Sequence, residues 1–142
     1  MIRRIVAVVS IALSFFLLFK QEKSGLEWQT WTPEAVAQAR EQGAVVYVDY
    51  TARWCATCQV NKRVVFGTDA VPDYVRENDV MLFKADWTDR NDAVTRALAE
   101  FGRSAIPFNV IYGPGSEDPI ILPELLTPDI VLSALEQASI LR

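Results

Sequence analysis

Cys55 and Cys58 stand two residues apart in the stretch RWCATCQVN, and they are the two cysteines of the chain. Two thiols at this spacing can ligate a metal, brace a fold or exchange electrons. The sequence holds no histidine. That removes a histidine general base, a Cys–His dyad and every histidine-containing zinc site. It also removes the imidazole that copper delivery would use. An all-cysteine zinc site needs four thiolates, so a metal here would have to be shared between two chains. A structural disulfide would close only a tiny loop. A chain of 142 residues buries enough surface to fold without such a staple.

The redox reading gives each residue a task. If Cys55 lies at a helix N-terminus, unpaired N–H groups and the helix dipole favour its thiolate. Such positions lower a thiol pKa from about 8.5 into a range of roughly 3.5–7.5. Cys55 is then the attacking thiol, and Cys58, one turn inward, the resolving thiol. Asp49 is the only charged residue in the apolar run AVVYVDY. Burial would raise its pKa and make it a proton acceptor near neutrality. The alternative is an aspartate at a strand end facing water. A tryptophan just past a strand end, such as Trp54, reads on its own as a core filler.

These residues need a scaffold. Ala44 to Tyr50 lacks apolar/polar alternation, as expected of a strand covered on both faces. The cysteine motif follows it and opens a helix to about Phe66. Thr32-Pro33-Glu34 and Thr127-Pro128-Asp129 both read as helix starts, with a threonine N-cap, proline at the first helical position and an acid in the first turn. Gly43 stops the first of these helices. Further helices are predicted over Thr68–Asn78 and around Val94, Ala97, Leu98 and Phe101, the latter ending at Gly102. Val80–Ala85, Phe108–Tyr112 and Ile120–Leu122 read as strands, with a turn at Gly113–Ser116. After a leading helix the order is β-α-β-α-β-β-α. That order implies an α/β domain with a mixed four- to five-stranded sheet flanked by helices.

The charge divides the chain. Residues 1–23 hold Arg3, Arg4, Lys20 and Lys23 against Glu22, whereas the remainder carries 10 basic and 17 acidic groups. The acidic balance argues against nucleic acid as a partner. Ile5 to Phe19 carries no charge and would be about 22 Å long as a helix, short of the roughly 30 Å hydrocarbon core. Snorkelling Arg4 and Lys20 extend that reach. We expect residues 1–24 to form a hydrophobic helix plus linker, serving as membrane anchor or cleaved signal segment, and residues 25–142 to form the folded domain.

VDYTARWCATC and AIPFNVIY together resemble the thioredoxin superfamily. WQTWTPEAVAQA, VDYTARWCATCQVNK, KADWTDRNDAV, LAEFGRSAIPF and LPELLTPDIVLSAL look closer to the C-terminal thioredoxin-like domain of the DsbD family of thiol:disulfide interchange proteins. The resemblance implies a thioredoxin-like fold and no cofactor beyond a redox-active Cys55–Cys58 disulfide. It implies that Asp49 moves the proton of Cys58. It also implies that Pro107 is a cis-proline, with Ala105, Ile106 and Pro107 forming a docking ledge for substrate backbone. Trp54 would flank the site. Partners would be protein thiols and disulfides outside the cytoplasm, with the domain in the periplasm, tethered to the inner membrane or secreted. The flow would be reductive, fed by a separate transmembrane electron donor unless this chain is a fragment of a longer one. An oxidase or isomerase, or a non-catalytic interaction module, stays open.

Two positions depart from the family pattern. Arg53 stands where many relatives have an acid before the tryptophan. Lys62 stands where DsbD-like domains often have an acid, four residues after the second cysteine. Both place positive charge near the thiols, and the expectation is that they stabilise the Cys55 thiolate.

Overall fold

The computed structural model describes residues 25–141. Ten elements follow in order: β1 (Trp28–Thr30), α1 (Pro33–Glu41), β2 (Val46–Thr51), α2 (Ala56–Phe66), α3 (Ala70–Glu77), β3 (Met81–Asp86), α4 (Asp92–Glu100), β4 (Phe108–Tyr112), β5 (Ile120–Ile121) and α5 (Pro128–Ile140). The strands form one five-stranded sheet in the order β1-β3-β2-β4-β5. β1 and β2 run parallel to β3, while β4 runs antiparallel to β2 and β5 antiparallel to β4. This is the mixed sheet flanked by helices that the element order predicts.

β2 is central, and all six of its residues are buried. Its side chains alternate between the two faces of the sheet. Val46, Val48 and Tyr50 join a core with Val36 and Ala39 of α1 and Val94 and Leu98 of α4. Val45, just before β2, and Tyr47 join the other, with Val65 of α2, Val71 of α3 and Leu135 of α5. Two helices therefore cover one face and three the other.

The two Thr-Pro starts behave as predicted. The Thr32 hydroxyl accepts from the Ala35 N–H at 3.0 Å and that of Thr127 from the Ile130 N–H at 3.3 Å, each satisfying a donor the helix cannot. Gly43 adopts φ +81°, a conformation glycine takes without steric cost.

The structure adds β1, where the sequence predicts only a lead-in to the first helix. Three residues reading WQT offer no periodicity, and register with β3 alone defines the strand. The first full turn of α3 begins at Ala70 rather than Thr68. The predicted β2 and β3 each slide toward the C-terminus, to Val46–Thr51 and Met81–Asp86. The predicted hydrophobic helix falls in residues 1–24, outside the described residues. Among the described residues, no helix is long and apolar enough to cross a membrane.

Candidate functional site

The parallel strands β2 and β3 end side by side, with Thr51 opposite Asp86. The segments leaving these two ends build the site. After β2 the chain turns through Ala52, Arg53 and Trp54, and Cys55 becomes the N-cap of α2. Cys55 and Cys58 form a disulfide, their Cα atoms 5.3 Å apart. Cys58 is 1% exposed and Cys55 7%. The Cys58 N–H donates to the Cys55 Sγ at 3.2 Å. This is the helix-terminal donor that the attacking-thiol role requires, since an N–H aimed at sulfur stabilises a thiolate more than a thiol.

The Ile106–Pro107 bond is cis. Ile106 packs against a small cluster of Ala52, Cys55 and Cys58. Ala105 is exposed, and Pro107 half-buried. Ile106, just before the cis-proline, therefore borders the disulfide.

Trp54 stands half exposed. Its indole N–H donates to the Thr88 carbonyl at 3.0 Å, and the Arg53 N–H donates to the Thr88 hydroxyl at 3.0 Å. Trp87 lies beside Trp54 with ring centroids 6.1 Å apart. The Arg90 guanidinium sits 5.0 Å from both indoles, within the range of cation–π attraction. Trp54 is thus held at the surface and is not a core filler. Trp87, Thr88 and Arg90 were not among the predicted site residues. Their segment, DWTDRN, leaves the end of β3, and a strand parallel to β2 must deliver its following loop beside the cysteines.

Asp49 is buried at 4% exposure, which excludes the water-facing alternative. Burial pushes its pKa up from 3.8 to about 6, against the opposing pull of Lys62. The Lys62 Nζ lies 3.4 Å from Asp49 Oδ2 and donates to the Thr51 hydroxyl at 3.0 Å. The contact joins a buried carboxylate to a partly exposed ammonium. Asp49, Lys62, Cys58, Tyr47, Asn61 and Asn109 line one narrow crevice, too tight to hold a water molecule. Tyr47 donates to Asn109 Oδ1 at 2.8 Å, and burial raises the phenol's pKa well above its usual value. Asn61 closes the crevice: its Nδ2 donates to the Glu124 carbonyl at 2.7 Å and its Oδ1 accepts from the Leu126 N–H at 3.1 Å.

The two unusual cations go to different places. The side chain of Lys62 is held by Asp49 and Thr51. The exposed Arg53 acts on Asp86, whose carboxyl is held below its usual range, chiefly by hydrogen bonds from Thr88. Among the described residues, no group of three or more histidine, cysteine or carboxylate side chains is placed to hold a metal. The redox group is the disulfide itself.

Residues 27–114 match the thioredoxin-like family. The chain is 34% identical over 84 residues to thiol:disulfide interchange protein DsbD of Pseudomonas fluorescens, covering 58% of this chain and 14% of that protein. It is 30% identical over 97 residues to thiol:disulfide interchange protein DsbD 1 of Pseudomonas aeruginosa, covering 65% and 16%. The chain thus spans only a small part of the length of these relatives. Among solved structures, the oxidised DsbD C-terminal domain of Neisseria meningitidis superposes with a TM-score of 0.58 at 19% identity, covering 78% of this chain and 98% of that one. A thioredoxin from Thermus thermophilus gives 0.61 at 19% identity, covering 82% and 88%. Fold, disulfide and family match agree: the chain belongs to the thioredoxin-like family and is similar to the C-terminal domain of DsbD.

Proposed function

We propose that this protein is a thiol:disulfide oxidoreductase that passes reducing equivalents to disulfides of extracytoplasmic protein partners. The observation that carries the reading is the Cys55–Cys58 disulfide at the start of α2, with one sulfur under a helix-terminal N–H. The DsbD likeness supports the reductive direction.

The cycle begins with both cysteines reduced. The Cys55 thiolate attacks one sulfur of the partner disulfide, and the other partner sulfur leaves as a thiolate. Cys58 then gives its proton to the Asp49 carboxylate and attacks the Cys55 Sγ. The bond between Cys55 and the partner breaks, and the second partner sulfur leaves with the electron pair. Two electrons have moved, the partner is a dithiol and the Cys55–Cys58 disulfide is restored. A dithiol donor resets it by the same steps in reverse. In this reading Ala105, Ile106 and Pro107 dock the partner's backbone, and Trp54 walls the opposite side. Residues 1–24 tether or export the domain, residues 25–142, which then works at the periplasmic face of the inner membrane. A transmembrane unit, on another chain or on a longer form of this one, supplies the electrons.

The test is covalent capture. The full chain carrying Cys58→Ala stalls at the mixed disulfide, so proteins joined to Cys55 are expected on non-reducing gels and vanish with reductant. Cys55→Ser abolishes capture. Equilibration with glutathione then fixes direction: a potential well below that of the glutathione pool supports a reductant. A potential well above it makes the protein an oxidase or isomerase. No capture, together with an ordinary thiol alkylation rate at Cys55, would leave an interaction module instead.

A further inference from the structure

We propose that Lys62 acts on Asp49 rather than on the Cys55 sulfur, keeping the carboxylate ionised and so ready to take the proton of Cys58. This rests on the exchange reaction proposed above and assigns one of its residues a positioning role.

The geometry carries it. The Lys62 ammonium is 3.4 Å from Asp49 Oδ2. Thr51 tethers it at 3.0 Å. Thr51 follows Asp49 by two residues on β2, so both point to the same face of the sheet. Lys62 lies one turn beyond Cys58 on α2, and such residues are neighbours on a helix surface. Asp49, Cys58 and Lys62 therefore share one crevice. The Lys62 side chain is 31% exposed while that of Asp49 is 6% exposed. The cation reaches in from solvent, and the acid cannot reach out.

The other groups facing Asp49 do not substitute for this contact. From β3, the positive charge of Lys84 favours the ionised carboxylate and Asp86 acts in the opposite sense, both more weakly than Lys62. Within β2, Tyr47 is neutral and gives its hydrogen to Asn109 on β4. Burial alone would leave Asp49 protonated further into the neutral range, and a protonated carboxyl cannot accept from Cys58.

The experiment follows the rate at which the reduced full chain, in detergent, reduces a peptide disulfide between pH 4.5 and 8.5. Lys62→Met is expected to move the midpoint of the acidic limb upward by about one pH unit. At the wild-type midpoint the rate then falls by about five-fold, and above pH 8 it recovers. Lys62→Arg stays near wild type, and Thr51→Val shifts the midpoint in the same direction by less. In an Asp49→Asn background the Lys62→Met shift disappears. The pH profile of Cys55 alkylation stays where it is in Lys62→Met. Superposable rate profiles for wild type and Lys62→Met would overturn the proposal, as would a shift that survives Asp49→Asn. A matching move of the Cys55 alkylation profile would return Lys62 to the sulfur. If the wild type reduces no disulfide, the proposed function fails by itself. Carbon-13 titration of the Asp49 carboxyl in wild type and Lys62→Met still decides this inference.

Discussion

The two faces of β2 are built from one strand and do opposite things. One face reads Val46, Val48, Tyr50 and stays apolar from end to end. The other reads Tyr47, Asp49, Thr51 and turns polar as it approaches the disulfide. Every one of these residues is buried, so the difference lies in partners and not in access to water. The apolar face is closed by α1 and α4 through side-chain packing alone. The polar face is closed by α2, which brings a cation, a carboxamide and a thiol to meet the strand. A buried carboxylate is tolerable where such partners exist and ruinous where they do not.

The sharpest way to break the contrast is to move the charge by one residue. Val48→Asp puts a carboxylate into the apolar cluster that holds Val36, Phe83 and Leu98. We expect a loss of at least about 4 kcal/mol, a large share of the roughly 5–15 kcal/mol that holds a domain together. Urea denaturation of the purified protein at pH 7 measures it.

Next in size is removal of the native charge. Asp49 titrates at about 6 when folded against 3.8 unfolded, so the folded state holds its proton more tightly. Its contribution is most favourable below pH 3.8 and is lost as the pH rises through about 6. Asp49→Asn should therefore stabilise the disulfide form by about 3 kcal/mol at pH 7.5. It should give little change at pH 3.5. Thermal unfolding across that range checks the slope, and a flat difference between the two proteins would contradict it. The same variant should slow disulfide exchange, which sets activity against stability at one position.

A smaller loss is expected at the lid of the polar face. Asn61→Ala leaves the Glu124 carbonyl and the Leu126 N–H without their partner. The cost is about 2 kcal/mol by urea midpoint. The smallest effects form a matched pair. Thr32→Ala and Thr127→Ala remove equivalent caps from helices on opposite faces, each costing about 1 kcal/mol. Equal losses would show that the asymmetry of the sheet stops at its surface and does not extend to the helices that cover it.

Much of this arrangement was legible in the sequence because the signals were local. Thr-Pro-acid marks a helix start wherever it occurs, and AVVYVDY reads as a strand with a misplaced charge. Cys55 caps the helix that follows the strand, as the motif spacing implies, and Asp49 is buried in one crevice with Cys58. What was not legible depends on contacts between distant segments. β1 exists only because β3 pairs with it. Trp87, Thr88 and Arg90 join the site because β3 lies next to β2. Lys62 illustrates the limit best. Its position in sequence placed it near the thiols, but the direction of its ammonium was set by Thr51 and Asp49 on a different element.

The placement of β2 has a further consequence, for how the chain finds its fold. Val46 pairs with Met81 on one side and with Tyr112 on the other. Neither neighbour is adjacent in the chain, so the central strand cannot be completed by a local hairpin. Folding must close long loops before these pairings return any free energy, and topologies of this kind fold slowly for their size. During synthesis the segment VYVDYT emerges well before β4 does. Until β4 arrives, one edge of this central strand is open to pairing with another chain.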